Sequence, residues 1–276
     1  MSLWLAVLIL AGAEGLAVGL MLLVRRRAPV GSFFKDTAEA AGVFAVVGTA
    51  FAVLLAFVFF LTFQSYDSAR KDARGEADAV TGMFRTAALF PTPARLTLQG
   101  QLVCYGRAVA ELEWPAMRHE RSSPVVQGWI NALDRDLRAV RIVGDKPTTA
   151  LSHWFDQSEA RQTGRRGRLA EAASVVPPLV WLVLIVGGVV VIAYTCLFAD
   201  PEERRLSQGL MMFAVSTMVI SSLLVVRFLD HPYENRSGSI RPTSMREALD
   251  VIGTQRAEQP PLAPLPCDAT GRPLRT

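Results

Sequence analysis

The chain has 276 residues, a formal net charge of +4, 51% hydrophobic residues and a mean hydropathy of +0.28, a composition that excludes an ordinary soluble domain. Much of the basic excess lies in short runs beside apolar stretches, which indicates membrane flanks and no nucleic-acid partner. The three cysteines have no regular spacing, so the sequence predicts neither a disulfide scaffold nor a zinc site. We expect Cys104 to be a small buried residue and Cys196 to lie inside a membrane span.

Four apolar stretches are each long enough to cross a bilayer as a helix, at about residues 3–24, 43–63, 178–198 and 209–229. The first contains Glu14, flanked by glycines. An ionisable group at that depth is a candidate functional residue. The alternative is a protonated side chain that faces a neighbouring helix, which small residues allow to approach closely.

The second apolar stretch runs into a charged helical pattern without a proline. Its apolar stripe continues at helical spacing through Ala69, Ala73, Ala77, Val80 and Phe84, which predicts one long helix that projects from the membrane into water. Further helical patterns follow up to residue 176. One is capped by Thr92, has Pro93 at its first position and ends at Trp114-Pro115, and another starts at Ser123-Pro124.

The predicted fold is therefore all-α, with two spans in residues 1–63, a helical extramembrane domain in 64–176 and two more spans in 177–229. Extensions of the second and third membrane helices form part of that inserted bundle. Residues 230–276 are polar and Pro-rich, and we expect a disordered tail. At its start, Asp230 and His231 are candidate membrane-face residues, where Pro232 stops the helix.

The charges flanking the spans leave the membrane orientation open. The side of the helical domain carries more basic residues, which favours a cytoplasmic domain, whereas Arg25, Arg26 and Arg27 after the first span favour the reverse.

The sequence offers no catalytic constellation. His119, His153 and His231 lack metal-ligand partners at suitable spacing, and no Gly-rich phosphate loop or nucleophile elbow is present. We therefore predict no enzyme activity, no metal and no cofactor.

The whole pattern resembles the bacterial bestrophin-like family and, more distantly, the bestrophin anion channels. Four segments carry the resemblance: LLAFVFFLTFQSYDSAR (54–70), ELEWPAM (111–117), RRGRL before PPLVW (165–181) and DHPYENRSGSI (230–240). Bestrophins are homopentameric channels with a cytosolic helical domain. The resemblance therefore implies a self-associating protein of the plasma (inner) membrane, in contact with lipid, with a cytoplasmic helical domain and a small permeant anion such as chloride.

The resemblance also implies that the second helix lines the pore, with Phe57 at the position of a neck aromatic. The candidate pore-lining residues are Val53, Phe57, Phe60 and Gln64. The alternative is that they face lipid or neighbouring helices. Two other functions stay open. One is a non-conducting membrane-anchored scaffold or sensor, favoured because the sequence lacks the run of acidic residues that forms a calcium clasp in bestrophin channels. The other is a proton-coupled transporter that uses Glu14.

Overall fold

The computed structural model describes residues 3–30, 33–141, 144–260 and 263–274. Within these ranges the chain is all-helical, with one β-bridge between Cys267 and Pro273 and no strand. The elements are α1 (Leu3–Arg25), α2 (Thr37–Ala87), α3 (Thr92–Ala108), a π-helical turn (Val109–Glu113), α4 (Trp114–Met117), α5 (Pro124–Arg138), α6 (Asp145–Ala170), α7 (Pro178–Leu197), α8 (Arg205–Leu229) and α9 (Thr243–Ala257).

The four helices α1, α2, α7 and α8 are long and apolar enough to cross a membrane, which confirms the predicted all-α fold with four spanning helices. The second of them, α2, runs unbroken for 51 residues, from the apolar stretch into the charged one. The absence of proline from this segment explains its continuity, because no residue inside the helix lacks the N–H group that bonds to the carbonyl four residues earlier.

The chain divides into two compact units. The first, residues 1–65 and 174–231, contains the membrane helices. Its core consists of apolar side chains from α2, α7 and α8, among them Phe51, Val58, Leu184, Val219 and Val226. A smaller cluster joins α1 to α7 and α8 through Met21, Cys196 and Met212. Cys196 lies buried inside α7 as a free thiol, as the sequence predicts.

The second unit, residues 66–173 and 232–276, has its own hydrophobic core. Helix α3 lies at the centre of this core, where Leu98, Leu102 and Tyr105 are completely buried. Phe84 of α2 and Trp154 of α6 pack into the same cluster. The apolar stripe predicted along the polar half of α2 is buried here, from Ala69 to Phe84.

Two predicted helix boundaries needed adjustment. Helix α3 begins at Thr92, so the N-cap position belongs to Pro91 and no side chain caps this end. The helix also does not end at Trp114-Pro115 but passes through the π-helical turn into α4. Pro115 explains that turn, because it has no N–H and its ring would clash with the carbonyl of Glu111 in a regular helix.

The prediction of a disordered tail was wrong. Residues 243–257 form α9, which buries Met245, Ala248 and Ile252 against the core of the second unit. These residues lie at the spacing of one helix face, a short apolar stripe within a polar segment. The overall polarity of residues 230–276 masked it.

Cys104 is buried, as expected, but the sequence analysis missed that it forms a disulfide with Cys267. The bond fastens α3 to residues 263–274, which we call the C-terminal clasp. In the clasp Gly271 has a φ of +81°, and an added Cβ would lie only 2.6 Å from the carbonyl oxygen of Cys104. The indole Nε1 of Trp129 donates to the Gly271 carbonyl at 2.7 Å. The polar, Pro-rich sequence around Cys267 predicts disorder, so it gives no sign that this cysteine pairs with Cys104.

Candidate functional site

One face of α2 in the first unit exposes large apolar side chains. Val53, Phe57 and Phe60 are 65%, 60% and 54% exposed, and Gln64 is exposed beside them. These four residues are separated by four, three and four positions, so they lie along a single side of the helix. The structure therefore places all four candidate residues on one exposed face, which we call the α2 face.

The opposite side of the same helix makes the contacts within the chain. Phe51, Val58, Thr62 and Ser65 are buried, and they fall roughly half a turn away from the α2 face. Thr62 satisfies its hydroxyl within the helix by donating to the Val58 carbonyl at 3.0 Å. Among the described residues, the packing of α2 in the first unit thus uses this side and leaves the α2 face exposed.

The heptad spacing of the α2 face continues in the sequence beyond the apolar stretch. It passes through Asp67, Lys71, Arg74 and Asp78, and the last three are exposed in the second unit. Lys71 donates to Asp67 at 2.6 Å in an exposed ion pair of the kind that contributes little to stability. The positions at this spacing are thus apolar through Phe60 and carry charges of both signs from Asp67 onward.

Glu14 on α1 has a partner in the membrane unit. The Thr217 hydroxyl on α8 donates to its Oε1 at 2.5 Å, and the Glu14 side chain is buried. A hydrogen bond between two packed helices supports the structural interpretation of this residue. Its use in proton-coupled transport stays an untested hypothesis.

Asp230 holds the start of α7 in place. Its Oδ1 accepts from the backbone N–H groups of Val175 and Val176 at 2.9 and 3.0 Å. Its Oδ2 accepts from the Ser174 hydroxyl at 2.6 Å and from the Trp181 indole at 3.3 Å. This carboxylate therefore ties the segment just before α7 and the Trp181 side chain to the end of α8, although the N-cap of α7, Pro177, has no side-chain hydrogen bond of its own.

His231 lies beside this carboxylate, with its Nδ1 3.5 Å from Asp230 Oδ2, and also contacts Arg227 on α8. Asp230 and His231 are therefore close together, as their sequence positions require, and the Asp230 carboxylate fixes the segment that leads into α7.

Replacing Asp230 with alanine is expected to destabilise the membrane unit by about 1–3 kcal/mol, because four donors lose their acceptor. Asp230→Asn should lose less, since one side-chain oxygen remains. Thermal unfolding in detergent measures the difference, with the exposed Asp250→Ala as a control expected to change little. Equal stability of Asp230→Ala and the parent chain would show that these four hydrogen bonds do not stabilise the membrane unit.

The second unit contains a buried ion-pair network that the sequence analysis missed. The Arg168 Nε donates to Glu76 Oε2 at 2.6 Å, and its Nη2 donates to Glu113 Oε2 at 2.8 Å. Arg165 donates to the two oxygens of Glu113 at 2.7 and 3.2 Å. Glu76, Glu113 and Arg168 are completely buried. The network therefore joins α2, the π-helical turn and α6.

Two features of the sequence make this network possible. Gly164 lets α6 lie directly against α2, since an added Cβ would be only 2.7 Å from the Asp72 carbonyl. Glu76 stands among the apolar positions of the α2 stripe. A charge at such a position is a signal for a buried partner, and it could have been read from the sequence.

Arg165 and Arg168 stabilise the negative charge of Glu113. Burial alone would raise the pKa of Glu113, but hydrogen bonds and positive charge from Arg165 and Arg168 outweigh it and hold this pKa below its ordinary value. The Tyr105 hydroxyl donates to Glu76 at 2.6 Å. Burial, and then the Glu76 charge, raise the pKa of Tyr105. The lowered pKa keeps Glu113 ionised at neutral pH, and the raised pKa keeps the nearby Tyr105 hydroxyl neutral.

Arg161, two turns before Arg168 on α6, differs sharply from it. It is also completely buried, and its guanidinium lies 5.1 Å from the centre of the Tyr105 ring. Among the described residues, however, its Nε and Nη1 have no hydrogen-bond partner. The same helix therefore carries one fully paired and one poorly paired buried arginine.

Comparisons with known proteins agree on the family and the fold. The family model described as Bestrophin-like domain matches residues 2–245. A crystal structure of a bacterial bestrophin homologue from Klebsiella pneumoniae, a single-substitution variant, is 13% identical with a TM-score of 0.67, and covers 88% of this chain and 98% of that one.

A second variant of the Klebsiella homologue is 12% identical with a TM-score of 0.66 over 91% of this chain and 99% of that one. A structure described as a membrane protein is 13% identical with a TM-score of 0.65 over 92% and 99%. At these identities the likeness shows the fold alone. A comparison with curated proteins finds no match.

Proposed function

Because this chain belongs to the Bestrophin-like family, we propose that it is an integral protein of the plasma (inner) membrane that conducts small anions such as chloride. In this proposal several copies, five by resemblance to the bestrophins, form a closed ring in which α2 of each copy lines the pore. The observation that carries the proposal is the α2 face, which no other part of the described chain covers.

Phenylalanine side chains in a ring can pass anions. The edge of the aromatic ring carries partial positive charge, so Phe57 and Phe60 from several copies present favourable edges to an anion that has lost part of its water. Val53 adds an apolar ring one turn away, and apolar rings restrict flow by excluding water. In this proposal the α2 face thus provides both a favourable contact for the anion and an apolar barrier to its flow.

Assembly also explains why the apolar exposure continues at heptad spacing. A stripe of this period is suited to contact between like helices around an axis. A single copy could instead direct the α2 face to lipid tails, which the scaffold hypothesis requires. The two hypotheses therefore differ in whether the chain self-associates into a ring.

The substitution Phe57→Ala tests the pore assignment. Removing the ring widens the constriction, so anion flux from liposomes should rise about three- to tenfold, a barrier change of roughly 0.7–1.4 kcal/mol. Discrimination between large and small halides should fall at the same time. Liposome flux assays and single-channel recording measure both quantities.

Phe213→Ala is the matched control, because Phe213 is an exposed phenylalanine of α8, 47% exposed. We expect its flux and selectivity to equal those of the parent chain. If Phe57→Ala left both properties unchanged in an active protein, Phe57 would not line the pore.

A further inference from the structure

The disulfide between Cys104 and Cys267 carries information about the compartment of the helical domain. Both cysteines are buried in the second unit, and their Cα atoms lie 5.8 Å apart. Disulfides form and persist in oxidising compartments outside the cytoplasm and are rare inside it, where thiols are kept reduced. A built-in bond of this kind therefore indicates an extracytoplasmic domain.

The contacts around the Cys104–Cys267 disulfide show that it is part of the folded structure of the second unit. Besides the disulfide, contacts with α3 and α5 hold the C-terminal clasp in place. Trp129 bonds to the Gly271 carbonyl, Arg107 donates to the Asp268 carbonyl at 3.1 Å, and Gly271 lies directly against the α3 backbone. These contacts place Cys267 next to Cys104 in the folded domain. The disulfide therefore joins two buried thiols that the fold itself brings together.

The short loops give a second, independent indication. Four crossings place the loop after α1 and the loop between α7 and α8 on the side opposite the helical domain. These loops and the helix end beside them carry the exposed basic residues Arg26, Arg27, Lys35, Arg204 and Arg205, whereas Arg25 is buried and donates to Gln208. Basic residues in short loops mark the cytoplasmic side of a membrane protein.

The number of basic residues on the side of the helical domain is weak evidence for a cytoplasmic domain. Large domains cross the membrane largely regardless of their charge. Moreover Arg161, Arg165 and Arg168 are buried inside the second unit, and the last two are paired with glutamates. They are part of the folded core and do not form a basic collar at the membrane surface.

We propose that the helical domain and the C-terminal clasp face the extracytoplasmic compartment, and that the two short loops face the cytoplasm. This orientation replaces the cytoplasmic domain that the family resemblance implies. It does not depend on whether the chain conducts ions, so its test is separate from that of the proposed function.

Single reporter cysteines test the orientation while the disulfide stays intact. In a Cys196→Ala background, Ser122→Cys places a thiol on the exposed α4–α5 loop, and Glu202→Cys places one on the exposed α7–α8 loop. A membrane-impermeant maleimide is added to intact spheroplasts and to permeabilised ones. We expect Ser122→Cys to label equally in both, and Glu202→Cys to label only after permeabilisation. The opposite pattern, or equal labelling of both sites in intact spheroplasts, would overturn the proposal.

A thiol count on the parent chain avoids any effect of the reporter substitutions. Cells are quenched with acid, and the denatured chain is treated with a maleimide of high mass before and after reduction. One adduct without reductant and three with it are expected, because Cys196 is the free thiol among the three cysteines. Three adducts without reductant would mean that Cys104 and Cys267 are reduced in the cell, which would contradict the extracytoplasmic placement.

Discussion

Replacement of Arg168 by methionine is expected to destabilise the helical domain by about 3–5 kcal/mol. The guanidinium bonds to Glu76 and Glu113, and all three side chains are completely buried. Methionine fills a similar volume, so packing is largely kept. The loss comes from the two carboxylates. Among the described residues, Glu76 then keeps only the Tyr105 hydroxyl as a side-chain partner, and Glu113 keeps only Arg165 as a charged partner.

Arg161→Met is the matched control, since it makes the same change on the same helix at equal burial. Arg161 leaves two of its three guanidinium nitrogens without a hydrogen-bond partner among the described residues. Replacing a buried, poorly paired charge by an apolar side chain is expected to be neutral or stabilising. Unfolding in detergent, followed by tryptophan fluorescence, measures both variants. Equal losses would show that side-chain volume, and not ion pairing, decides the result.

Loss of the disulfide is the second large effect. Cys104→Ser is expected to destabilise the helical domain by about 2–4 kcal/mol, because the bond closes a loop of 163 residues and so limits the unfolded chain. It also removes the covalent link between the C-terminal clasp and α3. Cys267→Ser should give the same loss, and the double variant should lose no more than either single variant.

Reductant provides the check on this second prediction. Thermal unfolding of the parent chain should shift downward with a thiol reductant, whereas Cys104→Ser should not respond. Cys196→Ala keeps the disulfide and should respond as the parent chain does. A parent chain that is indifferent to complete reduction would show that the clasp is held without the bond.

The membrane helices and the long α2 could be predicted because their signals are local. An uninterrupted apolar stretch specifies a span, and the stripe from Ala69 to Phe84 specifies the continuing helix. The common exposed side of Val53, Phe57, Phe60 and Gln64 follows from helical spacing alone. Whether those residues line a pore is not a property of one chain, so it stays a proposal.

The ion-pair network and the disulfide could not be predicted from local patterns. Glu76, Glu113 and Arg168 are far apart in the sequence and meet only because α6 lies against α2 at Gly164. Cys104 and Cys267 are separated by 163 residues, and the polar composition around Cys267 concealed a packed segment. In both cases tertiary contact decides the structure, which no short window of sequence contains.

The oligomeric mass in lipid nanodiscs, measured by native mass spectrometry, tests the central claim most directly because a subunit count does not depend on whether a channel is open. The account predicts a closed assembly of identical chains, with five copies expected from the family resemblance. Such a ring would bring copies of the α2 face together around one axis. A monomer or dimer would contradict the account, because α2 would then have no central pore to line, and would favour the membrane-anchored scaffold.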